Sequence, residues 1–334
     1  SIFIVDTDTG ERIWWASNEV VTDGNGDGPN LELEHMDYSI PSDIALLDTN
    51  GDGATNRLYV GDMGGQVWRI DLDDQLGGPS SGSEDSVDGT SGARLAVLSN
   101  PDEDVENIED HRKFFYAPDV IQVADTVFAG QDYDLVAIVS GDRANPLEED
   151  VLNRAYGLRD YLISEPLTET GQYPLFEDVD TDGDGNDDLY DATADLIQVG
   201  EEDEQAAAKS ALIASSGWYI DLTEDGAKEG EKGLSSPIVL AGKLFFTTFI
   251  PGDHDPCSAT LGVGRLYGLD VITAGALFED WFEDGIDNEF ESGDRTYALG
   301  GGIPSSAVPI FQKQGVTLLI GTGGGAESVD PDIT

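Results

Sequence analysis

Short apolar runs broken by Gly, Asp, Asn and Pro set the pattern of this chain. Runs at residues 2–5, 44–47, 57–60, 66–70, 120–123, 135–139, 218–222, 237–240, 243–249, 265–269 and 316–320 are rich in β-branched and aromatic residues. Turn formers bound them, which predicts strands joined by turns. A helix is predicted only over 201–214, where the stretch from Ala206 to Lys209 supplies good helix formers. The fold class read from this pattern is all-β.

The runs fall into repeating units. Units open at Ile40-Pro41-Ser42, Ala117-Pro118-Asp119, Ser235-Ser236-Pro237 and Ile303-Pro304-Ser305-Ser306. Three of them close on Val67-Trp68-Arg69-Ile70-Asp71, Arg154-Ala155-Tyr156-Gly157-Leu158 and Arg265-Leu266-Tyr267-Gly268-Leu269-Asp270. The opening stretch Ile2 to Asp6, followed by Thr9-Gly10-Glu11, has the form of the end of an earlier unit. Spacings of 77, 119 and 67 residues between Pro41, Pro118, Pro237 and Pro304 exceed the roughly 40–50 residues of a bare propeller blade. Insertions at 73–92, 165–204 and 277–295 account for the excess, because blade-tip turns tolerate long excursions. The expected architecture is a modified β-propeller with quinoprotein-like blades, filling 1–334 as a single domain or a fragment of one. Four openings plus a partial unit predict an incomplete ring.

Composition narrows the functional classes. Sixty-eight Asp and Glu against 16 Lys and Arg give a net charge of −52, which repels phosphate backbones and anionic membrane surfaces. Nucleic acid is excluded as a partner. With 39% apolar residues and a full complement of aromatics the chain builds a core, so the acidity belongs to its surface. An acidic shell of this kind is screened in saline or calcium-rich surroundings and points to the outside of a cell. Cys257 is the sole cysteine, so there is neither an intrachain disulfide nor a zinc or iron–sulfur pattern. No run approaches the roughly 18 apolar residues of a membrane-spanning helix. The start at Ser1, without a basic leader, reads as a mature chain or a fragment.

The strongest chemical pattern is Asp48-Thr49-Asn50-Gly51-Asp52-Gly53-Ala54-Thr55-Asn56. Oxygen side chains at positions 1, 3, 5 and 9, a Gly at 6 and a backbone carbonyl at 7 follow the first nine positions of an EF-hand loop. Predicted ligands for Ca²⁺ are Asp48, Asn50, Asp52, the Ala54 carbonyl and Asn56. Position 12 is Tyr59 and a strand follows, so a helical EF-hand is not expected. A second loop places Asp180, Asp182, Asp184, Asn186 and Asp188 at comparable positions, with Asp191 at position 12. More carboxylates favour tighter cation binding, since their mutual repulsion is relieved by the metal. A third, shorter string runs through Asp23, Asn25, Asp27 and Gly28.

Signals for catalysis are sparse. His35, His111 and His254 share no motif with a nucleophilic Ser or Cys, and Asp253-His254-Asp255 near Cys257 lacks further metal ligands. The run Gly321-Thr322-Gly323-Gly324-Gly325 imitates a dinucleotide fingerprint, but no helical pattern follows, which predicts a turn.

Several segments together resemble the PilY family of type IV pilus biogenesis proteins and pilus tip adhesins. These are Asp48 to Asn56 running into Arg57-Leu58-Tyr59-Val60-Gly61-Asp62, then Gly65 to Leu72, Ser140-Gly141-Asp142-Arg143, Asn153 to Tyr156, Gly217 to Leu222 and Ser235-Ser236-Pro237. The Asp-Thr-Gly-Glu element at Asp8 to Glu11 is shared more widely with quinoprotein-like propellers. The resemblance implies a C-terminal β-propeller whose acidic loop binds calcium, with calcium occupancy linked to pilus extension and retraction. By that resemblance Asp48, Asn50, Asp52 and Asn56 inherit the ligand role. Asn stands at positions 50 and 56, where the family commonly has an acid, and no Arg-Gly-Asp tripeptide occurs.

The expectation is therefore a non-enzymatic, calcium-binding propeller that acts in pilus biogenesis and surface adhesion. Its expected partners are pilins or minor pilins and a host or abiotic surface. Its expected location is extracellular, at the pilus tip or outer cell surface, with periplasmic transit. Two alternatives are a quinone-dependent dehydrogenase propeller, which lacks the adjacent cysteines of that family, and a polysaccharide-degrading propeller.

Overall fold

The computed structural model describes residues 1–18, 28–72, 90–99, 105–125, 130–164, 176–177, 188–223, 230–252, 261–277, 292–313 and 315–331. Their strands form five sheets that follow one another along the chain. The first holds β1 (Ile2–Val5), β2 (Arg12–Ser17) and β3 (Leu31–Glu32); the second is the meander β4 (Ala45–Leu47), β5 (Arg57–Gly61), β6 (Gln66–Asp71) and β7 (Ser91–Val97). The third begins with β8 (Asp119–Val123), β9 (Tyr133–Val139) and β10 (Arg154–Asp160). A long connection then carries β11 (Phe176–Glu177), β12 (Tyr190–Asp191), α1 (Leu196–Val199) and α2 (Glu202–Ala214) before β13 (Gly217–Asp221) returns to the third sheet beside β10. The fourth sheet comprises β14 (Lys232–Gly233), β15 (Ile238–Leu240), β16 (Lys243–Ile250), β17 (Val263–Asp270) and β18 (Thr296–Gly301). The fifth is β19 (Val308–Gln312), β20 (Gly315–Thr322) and β21 (Gly325–Val329).

Alternation along each strand decides which neighbour it packs on, since successive side chains point to opposite faces. In β5, Leu58 and Val60 join Ile2, Trp14 and Ala16 of the first sheet, whereas Tyr59 between them packs with Val136 and Ile138 of the third. In β9, Leu135, Ala137 and Val139 turn the other way and meet Leu244 and Phe246 of the fourth sheet. Phe245 and Leu266 pack on Leu318 and Ile320 of the fifth. Each middle sheet is thus sandwiched between its two neighbours, the blade-on-blade arrangement of a propeller. This explains why β9 is buried along its whole length and reads as a continuous apolar run from Leu135 to Val139.

The all-β expectation holds, and three of the four openings lead into the first strand of a sheet, β4, β8 and β19, whereas Ser235-Ser236-Pro237 lies between β14 and β15 of the fourth. Strands β2, β3, β7, β11, β12, β14, β18, β19 and β21 lie outside the apolar runs, and β10 is marked only by the unit close Arg154 to Leu158. β7 mixes Gly92 and Arg94 with apolar residues, and β21 is Gly-Ala-Glu-Ser-Val; pairing with β6 and β20 makes them strands, not composition. β7 begins at Ser91, so the end of the expected 73–92 insertion belongs to the second sheet. The expected 165–204 insertion lies within the longer β10–β13 connection, from which β11 pairs in parallel with β7 of the preceding sheet. The expected helix is present as α2, with Glu204 accepting the Glu201 amide at 2.9 Å in a capping box. No helix among the described residues is long and apolar enough to cross a membrane.

Candidate metal centre

The Asp48 loop joins β4 to β5. Its backbone turns through Gly51 and Gly53, at φ 75° and 91°, a left-handed region open to glycine. Asp48 organises the loop. One carboxylate oxygen accepts the Gly51 amide at 2.7 Å and the other the Gly53 amide at 2.8 Å. These amides, led by that of Gly53, hold the exposed Asp48 carboxyl below its ordinary range against the opposing effect of desolvation. Asn50 Oδ1 accepts the Asp52 amide at 3.0 Å, and Asp52 accepts that of Ala54 at 2.8 Å. Asn56 turns its Oδ1 back to Thr49, accepting the amide at 2.8 Å and the hydroxyl at 2.9 Å.

The loop is anchored at its end. The Asn56 amide donates to the Leu47 carbonyl at 2.9 Å, and the Asn56 carbonyl accepts from Leu72 at 2.8 Å. Two carboxylates, two carboxamide oxygens and the Ala54 carbonyl form an all-oxygen donor set, which fits a hard cation such as Ca²⁺ and not a thiolate- or imidazole-seeking metal. Among the described residues no three His, Cys, Asp or Glu side chains gather as a potential metal site. Tyr59, at position 12, is fully buried between sheets and contributes nothing to the loop.

The other sequence-predicted positions are scattered. Asp180, Asp182, Asp184 and Asn186 lie outside the described residues, as do Asp23, Asn25, Asp27, His254 and Cys257. Asp188 is half-buried, and its carbonyl accepts the Ser216 amide at 2.8 Å. The Gly28 carbonyl accepts from the Trp15 indole at 3.0 Å. The glycine run at 321–325 forms the tight turn between β20 and β21, as expected.

Sequence reasoning missed a charge cluster that starts where the loop ends. Arg57, the residue after Asn56, pairs with Asp71 at 2.7 Å and with Asp134 at 2.7 Å. Arg69 pairs with Asp160 at 2.8 Å and with Asp71 at 3.0 Å. The Tyr59 hydroxyl bridges Asp160 at 2.7 Å and Asp134 at 3.0 Å. Burial, then Asp160 and Asp134, push the Tyr59 hydroxyl far up, so it stays a neutral donor. Burial opposes the Arg57 charge, but the paired Asp71 and Asp134 carboxylates outweigh it and raise its pKa. Two guanidiniums thus face three carboxylates across the boundary between the second and third sheets. The available signal was charge inside buried strands, as in Trp68-Arg69-Ile70 and Tyr133-Asp134-Leu135.

Comparisons with known proteins agree with this architecture. No family model matches the chain. It is 26% identical over 285 residues to a type IV pilus biogenesis factor PilY1 homolog of Xylella fastidiosa, covering 82% of this chain and 17% of that protein. It is 25% identical over 250 residues to the type IV pilus biogenesis factor PilY1 of Pseudomonas aeruginosa, covering 69% and 20%. The chain therefore spans about a fifth of the length of these relatives. Among solved structures, the C-terminal domain of Pseudomonas aeruginosa PilY1 superposes with a TM-score of 0.56 at 16% identity, over 98% of this chain and 65% of that one. With the acidic loop set into a stack of propeller-like sheets, the chain is similar in sequence to type IV pilus biogenesis factors of the PilY1 kind and has the fold of the PilY1 C-terminal domain.

Proposed function

We propose that this chain is a non-enzymatic, calcium-binding propeller of a type IV pilus biogenesis protein. The observation that carries the reading is the Asp48 loop, whose oxygen donors lead directly through Asn56 into Arg57 and the buried charge cluster. Calcium held by Asp48, Asn50, Asp52, Asn56 and the Ala54 carbonyl would fix the β4–β5 hairpin and, through Arg57, the boundary between two sheets. Two relatives named as pilus biogenesis factors support the pilus role. Pilins as partners, a surface location at the pilus and attachment to surfaces belong to the same reading. Occupancy would then set the stiffness of a module involved in pilus extension and retraction. The Asp180 loop is proposed as a second calcium site.

Titration calorimetry tests the metal. Binding to the folded state alone raises stability by about 2.7 kcal/mol at 100 times the dissociation constant. The pair Asp48→Ala and Asp52→Ala, in a background with the Asp180 loop disabled, is expected to lose both the calcium heat and the thermal shift. Unchanged binding in that variant would refute the assignment.

A further inference from the structure

A cavity of about 500 Å³, open to solvent, lies where the openings of three successive sheets converge. Tyr116 precedes β8, Leu234 precedes β15 and Ile303 to Ser306 precede β19; Arg143, from the loop after β9, completes one side. The volume is that of a site for a small ligand or a few residues of chain.

Arg143 sets the chemistry. Its guanidinium lies 5.7 Å from the centre of the Tyr116 ring and donates to the Tyr116 hydroxyl. Among the described residues it has no carboxylate partner, whereas its neighbour Lys113 pairs with Asp142 at 2.7 Å. With 68 acidic residues against 16 basic ones, a guanidinium left to face a cavity without an acid is an exception. Its planar fork of donors matches a carboxylate. Around it Leu234, Ile303 and Pro304 supply an aliphatic wall, and Ser305, Ser306 and Thr322 a hydroxyl-bearing one. The Ser305 hydroxyl is already committed, accepting the Gly321 amide at 2.9 Å and donating to the Ser306 carbonyl at 3.0 Å.

We propose that this cavity captures the C-terminal carboxylate of a peptide chain ending in an aliphatic residue. Arg143 takes the carboxylate, with Tyr116 holding the guanidinium in place. Leu234, Ile303 and Pro304 receive the terminal side chain. Chain-end capture is an established mode of peptide recognition. A sugar acid, by contrast, calls for several converging free polar groups, whereas here the Ser305 and Thr322 hydroxyls already donate to the Ser306 and Gly325 carbonyls. The net charge of −52 favours chain ends preceded by neutral or basic residues. The site does not depend on the proposed calcium loop.

The test uses the chain at saturating calcium and a pentapeptide with two upstream lysines and a terminal leucine, as free acid and as amide. The free acid is expected to bind, and amidation or Arg143→Gln to weaken it about tenfold or more. Arg143→Lys should retain part of the affinity, since the charge remains but the fork is lost. The exposed position of Arg143 should leave the melting temperature of both variants unchanged. Equal binding of acid and amide, full affinity in Arg143→Gln, tighter binding of glucuronate than of the peptide, or no binding by the unaltered protein would each overturn the proposal.

Discussion

Arg69 and Asp160, 91 residues apart in the chain, meet at 2.8 Å with both side chains fully buried. Arg69 lies in β6 and Asp160 at the end of β10, so this pair crosses the boundary between two sheets. Arg69 also donates to the Leu162 carbonyl at 3.0 Å, and Asp160 accepts the Leu162 amide at 3.1 Å. Removing one member of such a pair leaves the other charge desolvated and uncompensated. Arg69→Met is therefore expected to cost about 3 kcal/mol or more. Arg69→Met with Asp160→Asn should cost less than the sum of the two single changes, and urea denaturation of all three variants measures the difference.

Gly157 of β10 stands opposite Trp218 of β13. A Cβ at Gly157 would overlap the Trp218 ring, which is held by an indole hydrogen bond of 3.0 Å to the Val271 carbonyl. Gly157→Ala is expected to destabilise the fold by about 1–3 kcal/mol. A drop in the thermal midpoint checks this. Trp218→Phe in the same background should recover part of the loss, because the smaller ring leaves room for the methyl.

Asp195 ties the β10–β13 connection to the fourth sheet. It lies 3.3 Å from Arg295, which donates to the Ala192 and Thr193 carbonyls at 2.7 and 2.8 Å. Burial pushes the Asp195 carboxyl up to about 6, against the attraction of Arg295. An acid whose folded-state pKa is raised binds more protons when folded. Its contribution to stability is fullest below the unfolded value of about 4 and is lost as pH rises through about 6. Denaturation of the unaltered chain and of Asp195→Asn across this range isolates the group. Relative to the Asn variant, the unaltered chain should lose stability between about pH 4 and 6 and stay level above.

The net charge of −52 predicts a salt effect separate from calcium. Raising ionic strength shortens the screening length to roughly 10 Å at 0.1 M and 3 Å at 1 M, which relieves repulsion among surface carboxylates. Thermal midpoints at saturating calcium should climb from low to molar sodium chloride. A flat or falling series would leave the acidity as a solubility feature.

Short-range chemistry made part of this protein legible from its sequence. The apolar runs marked most of the central strands, the Pro/Ser openings marked the approaches to β4, β8, β15 and β19, and the capped α2 stood out by composition. The spacing of Asp48, Asn50, Asp52 and Asn56 announced a loop of oxygen donors, and the two glycines announced its turn. Only the tertiary structure decided which face of each strand meets which neighbour, because period-two alternation marks two faces without naming the partners of either. It also made strands of β7 and β21, whose residues have little preference for extended structure without β6 and β20 beside them. The charged residues of β5, β6, β9 and β10 read as ordinary surface acids and bases until packing buries Arg57, Arg69, Asp134 and Asp160 together. Arg143 shows its role only when the openings of three sheets enclose the cavity beside it. Contacts between residues so far apart are fixed by the stacking of sheets, and no local pattern of residues encodes them.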